Sequence, residues 1–197
     1  AMRDADRTSP TIPCFIITDA TGLQKYGLGM VRMGTRNLAP YRNDGYLTEG
    51  ASLADLANKL GCDRAHLEKS VATINAAAKS GIDPEFARGS TDYHRHNGDA
   101  AHGPNPTLGE IKTAPYYAVR LYPGDIGAAT GLAITPDAEV LGHNNNPIAH
   151  LYACGAEAQS IMGGTYPGPG ITIGPALAFA YRAIQHAVHG RNVGPRA

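Results

Sequence analysis

Hydrophobic and polar positions along the chain fall into two regular textures separated by irregular ones. Residues 13–19 form a short apolar run with β-branched members, which predicts a strand. Asp19 ends that run and is placed to cap a helical turn over Ala20–Tyr26. A helical period then takes over. Ser52 is placed to cap Leu53–Leu60, with Asp55 three residues on and Gly61 as the stop; Asp63 is placed to cap a second helix through Ser80, stopped by Gly81. Leu67, Val71, Ile74 and Ala78 share one face of that second helix, so 52–80 predicts a helical hairpin. Short strand patterns return at 116–122, 131–134, 138–141 and 151–154, with turns at Pro136-Asp137 and at 144–147. Residues 171–188 are apolar on almost every side apart from Arg182, Gln185 and His186, which predicts a buried helix.

Three stretches lack any period. Residues 2–12 are polar and read as an irregular entry, residues 27–47 as a long glycine-containing loop, and residues 82–115 as a second, richer in proline. Loops of that length are usually functional or poorly ordered. Arg32, Arg36 and Arg42 in the first could bind an anion, but are sooner expected to be solvated or to pair with Asp44 and Glu49. His94 and His96 in the second invite a metal reading, but no carboxylate or thiol completes the set at a suitable spacing, so no metal is expected.

Composition narrows the function classes. The chain has 197 residues with 17 basic and 17 acidic side chains and no basic stripe interleaved with aromatics, which argues against nucleic acid. No apolar run is long enough for a membrane span, and, with no charged-then-apolar leader pattern in these residues, secretion is not expected. Cys14, Cys62 and Cys154 are odd in number and lack CxxC spacing, as expected of reduced thiols in the cytoplasm.

The most pointed stretch is 163–175, where glycines and prolines feed the apolar helix. Its glycines permit positive φ or close approach, and its prolines stiffen the path. A helix N-terminus leaves N–H groups unpaired and carries partial positive charge, so the stretch reads either as a tight turn before a core helix or as a backbone cradle for an electron-rich group.

Residues 151–155 and 162–176, with the Tyr-Pro-Gly-Pro-Gly string at 166–170, resemble the C-terminal end of the flavoenzymes that include fumarate reductase and succinate dehydrogenase flavoproteins, and most specifically the 3-ketosteroid Δ1-dehydrogenases. Stretches at 39–47, 81–89, 115–118 and 123–127 extend the resemblance over nearly the whole chain. The resemblance implies FAD as cofactor, with Gly155 along the ribityl chain and Gly170, Thr172 and Ile173 at the pyrimidine edge of the flavin. It implies that Tyr166 and the Gly170 amide polarise the 3-keto oxygen of a steroid, while a second tyrosine takes a proton from C2 and flavin N5 takes hydride from C1. Ala156 stands where such enzymes often carry Glu or Asn, and Glu157 is one place on.

Two family features do not occur here: a Gly-x-Gly-x-x-Gly loop on a βαβ unit, and the proton-abstracting tyrosine, which belongs just before residue 2. The chain is therefore expected to be the C-terminal part of an FAD-dependent oxidoreductase, inactive alone. It would be completed by an N-terminal half-chain, or would cover its apolar cut face by self-association. The alternatives are a catalytically silent truncated flavoprotein domain and a fumarate-reductase-like enoate oxidoreductase. The expected fold is α+β, a partial FAD-dependent oxidoreductase fold. Residues 13–110 would form a cap-like region with the hairpin at 52–80, residues 111–190 the C-terminal part of the FAD-binding domain with mixed or antiparallel strands and a buried helix, and residues 191–197 a fraying tail.

Overall fold

The structure is a computed structural model that describes residues 2–190. Tertiary contacts divide them into two compact units, one ending at Pro123 and the other beginning at Gly124. The expected division at 110/111 differs because the strand that follows it pairs with two strands of the first unit.

That first unit is organised by a three-stranded antiparallel sheet. Strands β1 (Cys14–Asp19) and β2 (Leu47–Gly50) flank β3 (Tyr116–Leu121), with Ile17 opposite Ala118 and Leu47 opposite Val119. The two-residue period of the strands separates two cores. Tyr117 and Val119 pack with Leu23, Leu28, Val31 and Leu47 on one face. Ile17 packs with Ala57, Leu67 and Val71 on the other. Those last three belong to α4 (Leu53–Leu60) and α5 (Arg64–Ser80), the expected hairpin. Its caps form as expected: Ser52 accepts from the Asp55 N–H and Asp63 from the His66 N–H, while Gly61 and Gly81 close the helices in left-handed conformation. Gly50 is required where β2 meets α4, since a Cβ there would lie 2.6 Å from that of Leu56.

The irregular stretches contain more regular structure than their patterns suggest. The 2–12 entry holds helix α1 (Met2–Asp6), and the Asp6 carboxylate accepts from the Thr11 N–H at 2.7 Å and the Ile12 N–H at 3.0 Å. Helix α2 (Ala20–Tyr26) follows β1 and is capped by Asp19. The 27–47 loop carries α3 (Ala39–Asn43), and Arg42 pairs with Glu49 at 2.7 Å. The 82–115 loop carries α6 (Asp92–His96), capped by Thr91. Side chains rather than strands hold this second loop. Asn75 exchanges two bonds with the backbone of Ile111, and the buried Asn105 donates to the carbonyls of Gly81 and Arg88 while accepting from Thr107. Such side-chain clips have no periodic signature.

The second unit contains the hairpin β4 (Glu139–Leu141) and β5 (Pro147–Tyr152). β5 begins earlier than the expected 151–154 strand; proline is tolerated at a strand's first residue. The expected strand at 131–134 is a bridging segment instead. Leu132 N–H donates to the Glu157 carbonyl at 2.8 Å and the Ala133 carbonyl accepts from Leu141 N–H at 2.8 Å, so the segment changes partner too soon to form a ladder. A 3-10 turn at Gly155–Glu157 leads to the glycine-proline loop and then to α7 (Ile173–His189).

The expectation that this helix is buried is corrected. None of its residues is buried, and Leu177, Tyr181, Ile184 and Val188 are each more than 60% exposed. Its other side supplies the contacts: Arg182 donates to the Pro136 carbonyl and to Asp137, and His186 meets Tyr152. The apolar stripe remains because the described residues offer nothing to cover it. The expected fraying tail at 191–197 lies outside the described residues.

Candidate flavin-edge site

The joint between the glycine-proline loop and α7 is built from unpaired donors. Gly170 sits at φ 92, a conformation that favours glycine, and its carbonyl accepts from the Gly174 N–H at 2.8 Å, which turns the chain into the helix. Thr172 at the N-cap has helical dihedrals and makes no side-chain cap bond, and the first turn carries no acidic residue. Pro175 has no N–H to satisfy. Among the described residues the N–H groups of Gly170, Thr172 and Ile173 have no hydrogen-bond partner. The positive end of a 17-residue helix is therefore uncapped.

A cavity of about 260 Å³ opens beside this joint, bounded by residues 126–129, Gly155, Ala156, residues 158–161, Tyr166 and the first turn of α7. Gly155, Ala156, Tyr166 and Thr172 of the expected set line it. Glu157, Gly170 and Ile173 do not. Ile173 points to solvent, and the Glu157 carbonyl is engaged by Leu132. Tyr166 is half exposed, and its hydroxyl has no partner among the described residues. Gln159, Ser160 and Phe179 also line the cavity but were not singled out from sequence. Phe179 lies three and four residues after Ala176 and Pro175, so helical spacing was a usable signal for it. Gln159 carried none.

No helix among the described residues is long and apolar enough to cross a membrane, and no group of three or more His, Cys, Asp or Glu among them is placed to hold a metal ion.

An uncapped helix N-terminus beside small residues suits an electron-rich group of many kinds, and the comparisons with known proteins give the class. The family model described as "FAD binding domain" matches residues 2–173, and the chain belongs to that family. FAD is the family's cofactor, and the donor set suits an electron-rich ring edge.

Within the family the likeness is more particular. The chain is 41% identical over 169 residues to a 4-oxocyclohex-2-ene-1-carboxylate 5-dehydrogenase of Sinomonas cyclohexanicum, covering 86% of this chain and 29% of that protein. It is 37% identical over 175 residues to a 3-oxosteroid 1-dehydrogenase of Mycobacterium tuberculosis, covering 89% of this chain and 31% of that one. Among solved structures it matches a 3-ketosteroid Δ1-dehydrogenase from Sterolibacterium denitrificans, in complex with 1,4-androstadiene-3,17-dione, with TM-score 0.88, 35% identity and coverage of 96% and 34% of the two chains. A flavocytochrome c3 fumarate reductase matches at TM-score 0.56 and 27% identity, over 91% of this chain and 27% of that one. The chain thus spans about a third of the length of the relatives it matches.

Proposed function

We propose that the chain is the C-terminal part of an FAD-dependent dehydrogenase that desaturates a ring beside a ketone, and that its activity requires the complementary N-terminal half. The observation that carries this reading is the set of unpaired N–H donors at Gly170, Thr172 and Ile173, with Thr172 and Tyr166 lining one cavity. Bound FAD supplies the hydride acceptor. The amides of Thr172 and Ile173 would face its pyrimidine edge, where a helix N-terminus favours negative charge. The small residues Gly155 and Ala156 leave room for its ribityl chain, and Glu157 is the next residue along the chain. Tyr166 and the Gly170 N–H donate hydrogen bonds to the substrate's ketone oxygen, which acidifies the adjacent C–H. Tyr166 suits this role because a phenol is a neutral donor at neutral pH.

The substrate class is a cyclic ketone, with a 3-ketosteroid as the first reading. A smaller keto acid is the second, since the 41% identical relative bears a monocyclic name. The partner is an N-terminal half-chain; without it, the exposed stripe of α7 favours self-association.

The test is to titrate FAD into the purified chain alone and into its complex with a co-expressed N-terminal half, following the flavin absorbance band. The complex is then assayed with a 3-ketosteroid and with 4-oxocyclohexanecarboxylate, using an artificial electron acceptor. We expect flavin binding and turnover only in the complex. A complex that binds flavin but turns over neither ketone overturns the reading. In the active complex Tyr166→Phe lowers the rate at least tenfold, since one such donor is worth about 2.7–4 kcal/mol. An unchanged rate removes Tyr166 from the mechanism.

A further inference from the structure

A second cavity lies wholly within residues 17–113, in the first unit. It measures about 700 Å³ and separates β1 and α2 from the loop that carries α6. That size is in the range of sites that take a drug-sized molecule.

The chemistry of its lining narrows the ligand. Its ionic groups are already paired: Lys25 with Asp99 at 2.5 Å, Lys112 with Glu110 at 2.5 Å, and Arg88 with Asp83 at 2.7 Å. The Asp99 carboxylate also accepts from the Tyr26 hydroxyl at 2.6 Å and the Ala101 N–H at 3.0 Å. These bonds hold its pKa well below the usual carboxylate range, chiefly through Lys25. Asp19 is buried and accepts from the N–H groups of Gly22, Lys112 and Thr113. A charged ligand would have to break one of these pairs before gaining its own.

Neutral groups remain. Thr18, Thr21 and Tyr93 line the cavity, and their hydroxyls have no hydrogen-bond partner among the described residues. His94 lines it too, and its Nδ1 is buried without a partner. Ile17, Pro106 and Ile111 supply apolar wall, and the rings of Tyr26 and Tyr93 offer flat surface.

We propose that this cleft is a binding site for an uncharged, ring-bearing alcohol or ketone. The apolar body packs on Ile17, Ile111 and the tyrosine rings, and its oxygens meet the hydroxyls of Thr18, Thr21 and Tyr93. The site uses only residues of the first unit and needs neither flavin nor the N-terminal half.

The test uses the full chain without FAD. Equilibrium dialysis measures binding of 1,4-androstadiene-3,17-dione as a neutral probe, and of cholate as a charged probe with a comparable ring skeleton. Amide NMR of the same samples locates the bound molecule. The expected result is saturable binding of the neutral probe, at least tenfold weaker binding of cholate, and shifts at residues 17–26 and 88–113. Thr21→Trp, which fills the cleft, and Tyr93→Ala, which removes a wall, should each weaken binding at least tenfold while circular dichroism stays unchanged. Absence of saturable binding, equal affinity for cholate, or shifts confined to residues 124–190 would overturn the proposal. None of these outcomes bears on the flavin titration or on Tyr166→Phe, so the two readings fail separately.

Discussion

Asp19 shows what a single residue can hold together. One carboxylate oxygen accepts from Gly22 N–H at 2.7 Å and caps α2. The other accepts from Lys112 N–H at 2.9 Å and Thr113 N–H at 2.8 Å. Asp19→Ala would leave three backbone donors without a partner at a position 2% exposed. The cap alone is worth about 0.5–2 kcal/mol, and buried orphaned donors about 1–3 kcal/mol each. The expected loss is roughly 2–4 kcal/mol in urea unfolding, and a loss below about 1 kcal/mol would show that water replaces the carboxylate. The cap was legible because its partner is three residues away. The second role was not, because Lys112 and Thr113 are far off in sequence and their donors are backbone groups that no residue type reveals. Tyr166 and Gly170 had the opposite fate: their string marked them, while the positive φ of Gly170 and the unpaired amides of Thr172 and Ile173 have no signature in the sequence.

Asp99 adds a pH dependence at the same scale. Hydrogen bonds from Lys25, Tyr26 and the Ala101 N–H depress its folded pKa below the unfolded value of about 4. A depressed carboxylate contributes stability above its unfolded pKa, and that contribution is lost as pH falls through the folded one. Lys25 is raised, mainly by its bond to Asp99, so its share is fully present below about pH 10.4 and is lost above that. Urea midpoints should therefore fall between pH 5 and about pH 2 more steeply in the wild type than in Asp99→Asn. Parallel curves would mean that the bonds are not kept in solution.

Among the elements, the hairpin and α7 respond differently to the same rules. The α4–α5 hairpin was readable to the residue because caps, stops and apolar period all lie within one contiguous stretch, and its buried face meets Ile17 of β1. The existence of α7 was equally readable, yet its burial was not, since an apolar sequence does not state what covers it. What holds α7 in its own unit is polar. Arg182 reaches Asp137 at 2.6 Å and the Pro136 carbonyl, and His186 Nδ1 lies 2.9 Å from the Tyr152 hydroxyl. Asp137 is 8% exposed, so removing its cation leaves a nearly buried carboxylate alone. Arg182 itself is more than one-third exposed, so solvent reduces the loss. Arg182→Ala is expected to cost about 1–2 kcal/mol and to speed amide exchange along α7 and the β4–β5 hairpin, leaving the first unit's exchange unchanged. Uniform acceleration across both units would contradict two separately organised bodies.

For the whole molecule, the consequence of spanning a third of its relatives is chemical, because an apolar stripe needs a partner. Leu177, Tyr181, Ile184 and Val188 recur at helical spacing on one side of α7, each more than 60% exposed, and Ile173 extends the stripe to the uncapped end of the helix. Burying a large apolar side chain is worth about 1.5–3 kcal/mol, so the stripe favours association. In isolation the chain should self-associate, and the double variant Leu177→Asp/Ile184→Asp should shift sedimentation to the monomer while circular dichroism stays the same. The same variant should fail to co-purify with an N-terminal half-chain, because one surface would serve both partners. If the wild type sediments as a monomer at every concentration tested and the double variant still joins the half-chain, the stripe is not the seam. Lost co-purification with normal helix content would instead make α7 at once the flavin-facing N-terminus and the element that joins the two halves, so flavin binding and assembly would be lost together.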